Sequence, residues 1–110
     1  MEQLLVDFIE KADADPRIDR THLSLYLALF AIWYRQGCPC PIRLFSYQVM
    51  PKAKISSVST YHRAILDLRA YGYIGYRPSN YKGRASDVFI LNGNVKDGNR
   101  SDNEGGSPQI

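Results

Sequence analysis

Residues 21–36, THLSLYLALFAIWYRQ, constrain the fold of this chain more than any other segment. Apolar side chains cover most of the circumference of a helix drawn through them. A helix that is apolar nearly all round has to be buried on several sides. We therefore predict that this segment is the central helix of a small domain. Asp19 and Thr21 are candidate N-caps for it, and Gly37 is a candidate C′ residue.

The length of the chain allows one such domain. With 110 residues, 45% of them hydrophobic, it can bury a modest core. No apolar run reaches the roughly 18 residues of a membrane span. The N-terminus is acidic and lacks the basic and apolar regions of a signal peptide. We therefore expect a cytoplasmic protein without a membrane partner.

Hydrophobic periodicity predicts the order helix, helix, short helix, helix, hairpin. The further helices are predicted at 2–12, 42–52 and 57–71, and the strands at 73–78 and 87–91. Pro51 is expected to end the third helix near Met50 or to kink it. The segment after Asn92 has almost no apolar residue. The domain is therefore predicted to span 1–92, and 93–110 to form a flexible polar tail.

Positive charge is concentrated in the middle of the chain. Residues 42–92 carry eight Lys or Arg against two Asp or Glu, whereas residues 1–41 carry four against six. A one-sided positive field is typical of a protein that binds nucleic acid. A solvated surface with uneven charge has the same composition, so charge alone does not identify a partner.

The predicted helix 57–71 is amphipathic in a way that suits a helix reading a DNA groove. Its apolar stripe contains Val58, Tyr61, Ile65 and Leu68. The opposite face and the residue before the helix are polar, and they carry Ser56, Ser59, Thr60, His62 and Arg63. Side chains in the first turns of a helix can read base edges, while hydroxyls and amides there bind phosphates. The alternative is that the hydroxyls only cap the helix and that the two basic side chains are solvated.

The hairpin that follows favours the groove-reading interpretation. Its predicted tip contains Tyr81, Lys82 and Arg84, and Arg77 lies on the strand leading into it. A short helix, a tight turn, a second helix and a hairpin with a basic tip form the layout of a winged helix-turn-helix. We therefore predict a mostly α fold with a small antiparallel β-hairpin, and we predict that it binds double-stranded DNA.

Three motifs lie between residues 20 and 92. They are KISS with TYH in 54–62, L-x-x-x-GYI in 68–74 and KG-x-x-S-x-V in 82–88. Through these motifs the chain resembles small bacterial winged-helix DNA-binding proteins carried on conjugative transposons and related mobile elements. The resemblance implies a transcriptional regulator or an accessory factor in recombination or excision. Pro51 departs from the family pattern, which has a helix former at that position.

This resemblance also implies a role for each polar residue. It implies base or near-base contacts from Ser59, Thr60, His62 and Arg63. It implies phosphate contacts from Lys54, Ser56 and Ser57. It implies wing contacts from Lys82 and Arg84, with Arg77 on the strand beside them. Tyr61 lies on the apolar stripe, so we predict that it belongs to the core.

Other classes of site have little support in the sequence. Cys38 and Cys40 are too close together for a structural zinc pair, and we predict two unbonded thiols. There is no phosphate-binding glycine loop, nucleophile elbow or zinc-protease motif. We therefore expect no metal, no cofactor and no enzyme activity. The rival hypothesis is a winged helix that binds an acidic protein instead of DNA. The first helix could pack on its own domain or on a second copy, so a homodimer is left open.

Overall fold

A computed structural model of the chain describes residues 2–79 and 84–91. Its elements are α1 (Glu2–Asp13), α2 (Arg20–Arg35), β1 (Ile42–Leu44), α3 (Ser46–Ala53), α4 (Val58–Ala70), β2 (Ile74–Arg77) and β3 (Ser86–Ile90). The strands form one antiparallel sheet, with β3 between β1 and β2. The predicted mostly α fold with a small antiparallel β element is confirmed. The predicted tail at 93–110 lies outside the described residues.

The predicted central role of α2 is also confirmed. Leu25 and Leu29 are completely buried, and α3, α4 and β3 pack against this helix. On another side, the ring of Tyr26 stacks on Phe8 of α1 with 3.7 Å between the centroids. None of the described helices, α2 included, is long and apolar enough to cross a membrane. Most of the apolar surface of α2 is instead covered by the other elements, and Leu27 and Tyr34 remain exposed.

The predicted helix at 42–52 is wrong at its start. Ile42–Leu44 form β1, and α3 begins at Ser46. In β1 only Arg43 is exposed, which is the period-2 alternation of a half-buried strand. This strand pairs with β3, which is distant in the chain. A segment of three residues is too short for its apolar pattern to distinguish a strand from the start of a helix.

Of the two outcomes expected at Pro51, an end of the helix near Met50 is wrong. α3 continues through it to Ala53. Pro51 lies close to the end of the helix and is exposed, so its ring meets solvent and it removes only one backbone hydrogen bond. The helix then closes at Lys54, whose φ is +60°. The Lys54 N–H donates to the Pro51 carbonyl, and the Ile55 N–H donates to the Met50 carbonyl at 3.0 Å. This pair of bonds is a Schellman motif.

The predicted ends of α2 and α4 are confirmed. Asp19 caps α2, and Ser57 caps α4. Gly37 and Gly72 follow the two helices with φ values of +87° and +85°. A residue with a side chain is strained in this left-handed conformation, so glycine fits both positions.

A polar cluster attaches the α1–α2 connection to the end of α4. Asp15 accepts two hydrogen bonds from the Arg17 guanidinium at 2.9 Å each and one from the Tyr73 hydroxyl at 2.9 Å. The Arg17 guanidinium lies 4.0 Å from the centre of the Tyr71 ring. The hydrogen bonds from Arg17 hold the pKa of the Asp15 carboxyl well below its usual range. This cluster fixes the connection against the turn between α4 and β2.

His22 joins the start of α2 to the middle of α4. Its buried ring accepts a hydrogen bond at Nδ1 from the Asp19 backbone N–H at 3.0 Å. The proton of the neutral ring is then on Nε2, which donates to Asp67 Oδ2 at 3.0 Å. His22 occupies the position of a capping box where Glu or Gln is usual. One side chain therefore caps α2 and also sets the position of α4.

The two hydrogen bonds of His22 can be tested by a pair of substitutions. We expect His22→Ala to lower the free energy of unfolding by about 2–3 kcal/mol, because it removes both hydrogen bonds and the packing of the buried ring. His22→Gln can accept from the Asp19 N–H and donate to Asp67, so it should cost less than about 1 kcal/mol. Urea denaturation followed by circular dichroism measures both values. Equal losses in the two variants would contradict the bridging role.

Candidate nucleic-acid interface

α4 is divided lengthwise between core and solvent. Tyr61, Ile65 and Leu68 are buried on one side, as predicted. Burial raises the pKa of Tyr61 to about 12, with a smaller contribution from Tyr76. Tyr61 is therefore a core residue and does not belong to the exposed face of α4.

The predicted apolar stripe of α4 is wrong at Val58, which does not belong to the core. Its side chain is 55% exposed. Val58 is the first residue of α4, and the start of the helix extends beyond the core that buries Tyr61 and Ile65. Val58, His62 and Leu66 are spaced four residues apart, so they share one stripe of the exposed surface. The exposed face of α4 is thus less polar than the sequence indicated.

The hydroxyl groups at the start of α4 form a small hydrogen-bonded group. Ser57 Oγ accepts from the Thr60 backbone N–H at 3.3 Å and lies 3.0 Å from Ser59 Oγ. Ser57 therefore has the capping role that the alternative interpretation assigned to these hydroxyls. Ser56 and Ser59 are exposed beside it. The hydroxyls are presented at the N-terminal end of α4, where backbone N–H groups also point outward.

Two clefts flank the exposed face of α4. The first, the Arg63 cleft, lies between α4 and the start of α2, and its lining includes Arg17, Thr21, Thr60, Arg63 and Asp67. The second, the Arg84 cleft, lies between α4, the start of α3 and the residues before β3, and its lining includes Ser46, His62, Arg84 and Ser86. The first half of α4 is therefore a ridge between two clefts, one lined by the exposed Arg63 of the ridge itself and the other by the exposed Arg84.

Most of the predicted site residues lie on this ridge or beside it. The turn between α3 and α4 and the first half of α4 supply Lys54, Ser56, Ser57, Ser59, Thr60, His62 and Arg63. Arg84 reaches the same region through the Arg84 cleft. Lys82 and Tyr81 lie outside the described residues.

Arg77 is placed differently from the other predicted residues. It lies on the solvent face of the sheet in one row with Asp87 and Arg43. Asp87 Oδ2 is 3.2 Å from Arg77 Nη2, and Asp87 Oδ1 is 3.7 Å from Arg43 Nε. The neighbouring residue Tyr76 faces α4 instead, where the Arg69 guanidinium lies 6.0 Å from its ring. The structure therefore separates Arg77 from the ridge and partly neutralises its charge.

Sequence reasoning missed several polar residues of the two clefts, among them Ser46, Arg17 and Thr21. Ser46 lines the Arg84 cleft as the first residue of α3, but the predicted helix at 42–52 placed it in mid-helix. Arg17 and Thr21 line the Arg63 cleft, but they belong to the acidic part of the chain. The available signal for Thr21 was the N-cap at Asp19, because a cap there places Thr21 in the exposed first turn of α2.

Residues 2–79 and 84–91 contain no group of three His, Cys, Asp or Glu side chains that could hold a metal ion. Cys38 is half-buried, Cys40 is exposed, and both thiols are unbonded.

Comparisons of the chain with models of protein families, with characterised proteins and with solved structures found no match.

The left-handed conformation of Lys54 can be tested by its effect on the free energy of unfolding, with a second lysine substitution as a control for the loss of charge. We expect Lys54→Gly to raise the free energy of unfolding by about 0.5–1 kcal/mol, because the relief of strain exceeds the added entropy of the unfolded chain. Lys52→Gly removes the same charge from within α3 and should lower it by about 1 kcal/mol. Thermal unfolding of both variants measures the difference. A loss of stability in Lys54→Gly would contradict the strained turn.

Proposed function

We propose that this chain is a winged helix-turn-helix protein that binds double-stranded DNA. In this proposal α3 and α4 are the helix-turn-helix, and β2, β3 and their connection are the wing. The ridge of α4, with an exposed arginine in the cleft on each side, is the observation that carries the proposal. A helix in the major groove has base edges along its exposed face and a phosphate backbone beside it, so Arg63 on the helix suits the bases and Arg84 beside it suits a backbone.

The order of elements supports the same proposal. The turn between α3 and α4 is only four residues long, and both helices pack on α2. β1 precedes this helix pair in the chain but pairs with β3 after it. The sheet is thereby attached beside α4, and the Arg84 cleft lies between them. Arg84, which precedes β3, is therefore close to the ridge.

The proposed mechanism is occupancy of a DNA site without chemistry. Arg63 and His62 would read base edges, since a guanidinium pairs with the two acceptors of guanine in the major groove. The hydroxyls of Ser56 and Ser59 and the ammonium of Lys54 would contact phosphates at the start of α4. Arg84 would bind the backbone on the other side. Such binding serves transcription control or an accessory role in recombination or excision.

Fluorescence anisotropy with a random-sequence duplex at several salt concentrations tests the proposal. About four to six phosphate contacts should give a log–log salt slope of roughly −4 to −5. Arg84→Ala should weaken binding uniformly across sequences and reduce the slope by about 1. Arg63→Ala should weaken a selected site by about 1–3 kcal/mol and relax its sequence preference.

Arg43→Ala is the matched control, because it removes the same charge from the outer face of the sheet. It should leave both affinity and slope nearly unchanged. Equal effects of all three substitutions would show that net charge alone causes binding. No duplex binding at about 50 mM salt would overturn the proposal and favour an acidic protein as the partner.

The exposed Val58 gives a second test of how α4 is oriented. An apolar side chain at the start of a groove-reading helix suits the methyl group of thymine. Replacing the contacted thymine by deoxyuridine removes that methyl and should weaken wild-type binding about three- to fourfold. Val58→Ala should bind the two duplexes almost equally. If no thymine shows this dependence on Val58, then this side chain does not face the bases.

A further inference from the structure

A group of exposed apolar side chains lies on the outer side of α1 and α2. Val6, Ile9 and Leu27 are 46%, 48% and 45% exposed. Ile9 of α1 lines one cleft with Ile18 and Leu23, and Leu27 follows one turn after Leu23 on the same side of α2. The apolar surface is therefore continuous from one helix to the other. Such grouped surfaces are typical of interaction sites, whereas single exposed apolar residues are not.

Only part of the apolar surface of α1 is used within its own domain. Phe8 and Ala12 are buried, and Phe8 stacks on Tyr26 of α2. Val6 and Ile9 are left about half exposed in the described part of the chain. We call the surface formed by Val6, Ile9, Ile18, Leu23 and Leu27 the α1–α2 face.

Charges around the α1–α2 face are divided between the two helices. α1 carries Glu2, Glu10 and Asp13 on its exposed side. Its one basic residue, Lys11, donates to the Gly72 carbonyl at 3.1 Å. α2 contains no acidic residue and has exposed arginines at both ends, Arg20 and Arg35.

We propose that the α1–α2 face binds the same face of a second copy, with α1 of each protomer packed on α2 of the other. This arrangement covers the apolar side chains of both helices and places the acidic α1 beside the basic ends of α2. A two-fold axis repeats each contact, so one self-complementary surface is sufficient. Packing α1 on α1 would instead bring acidic side chains together.

This dimer is independent of the proposed DNA binding. None of the residues on the ridge of α4 belongs to the α1–α2 face. Leu23 and Leu27 lie on one side of α2, while His22 and Leu25 are buried on the side that faces the other elements. The α1–α2 face is therefore available whether or not a duplex occupies α4, and the two proposals can fail separately.

Sedimentation velocity over a range of protein concentrations tests the dimer. The wild-type chain should associate reversibly, and Leu27→Glu should weaken the association at least about tenfold, because it buries a charge in the contact. Leu66→Glu makes the same change at an exposed residue of α4 and should leave the association unchanged. Circular dichroism should show that both variants keep their helices, since both positions are exposed.

A charge exchange tests which helices meet. One variant carries Glu2→Lys and Asp13→Lys, and the other carries Arg20→Glu and Arg35→Glu. Each variant alone should be mainly monomeric, because like charges then face each other in both contacts. An equimolar mixture should form a heterodimer, since α1 and α2 of the two variants are again complementary.

Three outcomes would overturn the proposal. The first is a wild-type chain that stays monomeric up to about 0.5 mM. The second is an association that Leu27→Glu and Leu66→Glu reduce equally, which would place the contact elsewhere. The third is undiminished self-association of the Arg20→Glu, Arg35→Glu variant, which would show that α2 does not meet α1 of the second copy.

Discussion

The burial of α2 is the constraint on which the rest of the structure depends. Three contacts along this helix each hold a different element. Tyr26 stacks on α1, the Ser24 hydroxyl donates to a carbonyl at the end of α3, and His22 bonds to Asp67 of α4. Leu25 and Leu29 fill the centre between them. The position of α4, and with it the candidate interface, therefore follows from how α2 is covered.

The core buries only one stripe of α4, so the rest of the helix surface is exposed to solvent. Tyr61 and Leu68 anchor that stripe, while the capped N-terminal end projects beyond the core. The projecting end combines hydroxyl groups, His62, Arg63 and the exposed Val58. A rigid helix with a capped, projecting end can present side chains precisely enough to read a surface, at little cost in ordering.

Charge counted along the chain overstates how basic any one surface is. The middle segment has a large positive excess, but Asp87 lies between Arg43 and Arg77 on the outer face of the sheet. Asp67 lines the same cleft as Arg63. The basic residues therefore do not form one continuous positive surface. Arg63 and Arg84 lie in separate clefts that flank α4. The acidic excess of the first helix lies on another surface, where it suits a basic partner surface and not a polyanion.

The sequence by itself determined the central helix, its caps, the amphipathic α4 and the two strands of the hairpin. Each of these has a local signal: apolar spacing, Asp19 or Ser57 before a helix, and Gly37 or Gly72 after it. Only the tertiary structure decided that Ile42–Leu44 pair with a distant strand and that Val58 extends beyond the core. It also decided that the Arg63 and Arg84 clefts flank α4. These features depend on contacts between elements far apart in the chain, and the spacing of residues within one element does not encode such contacts.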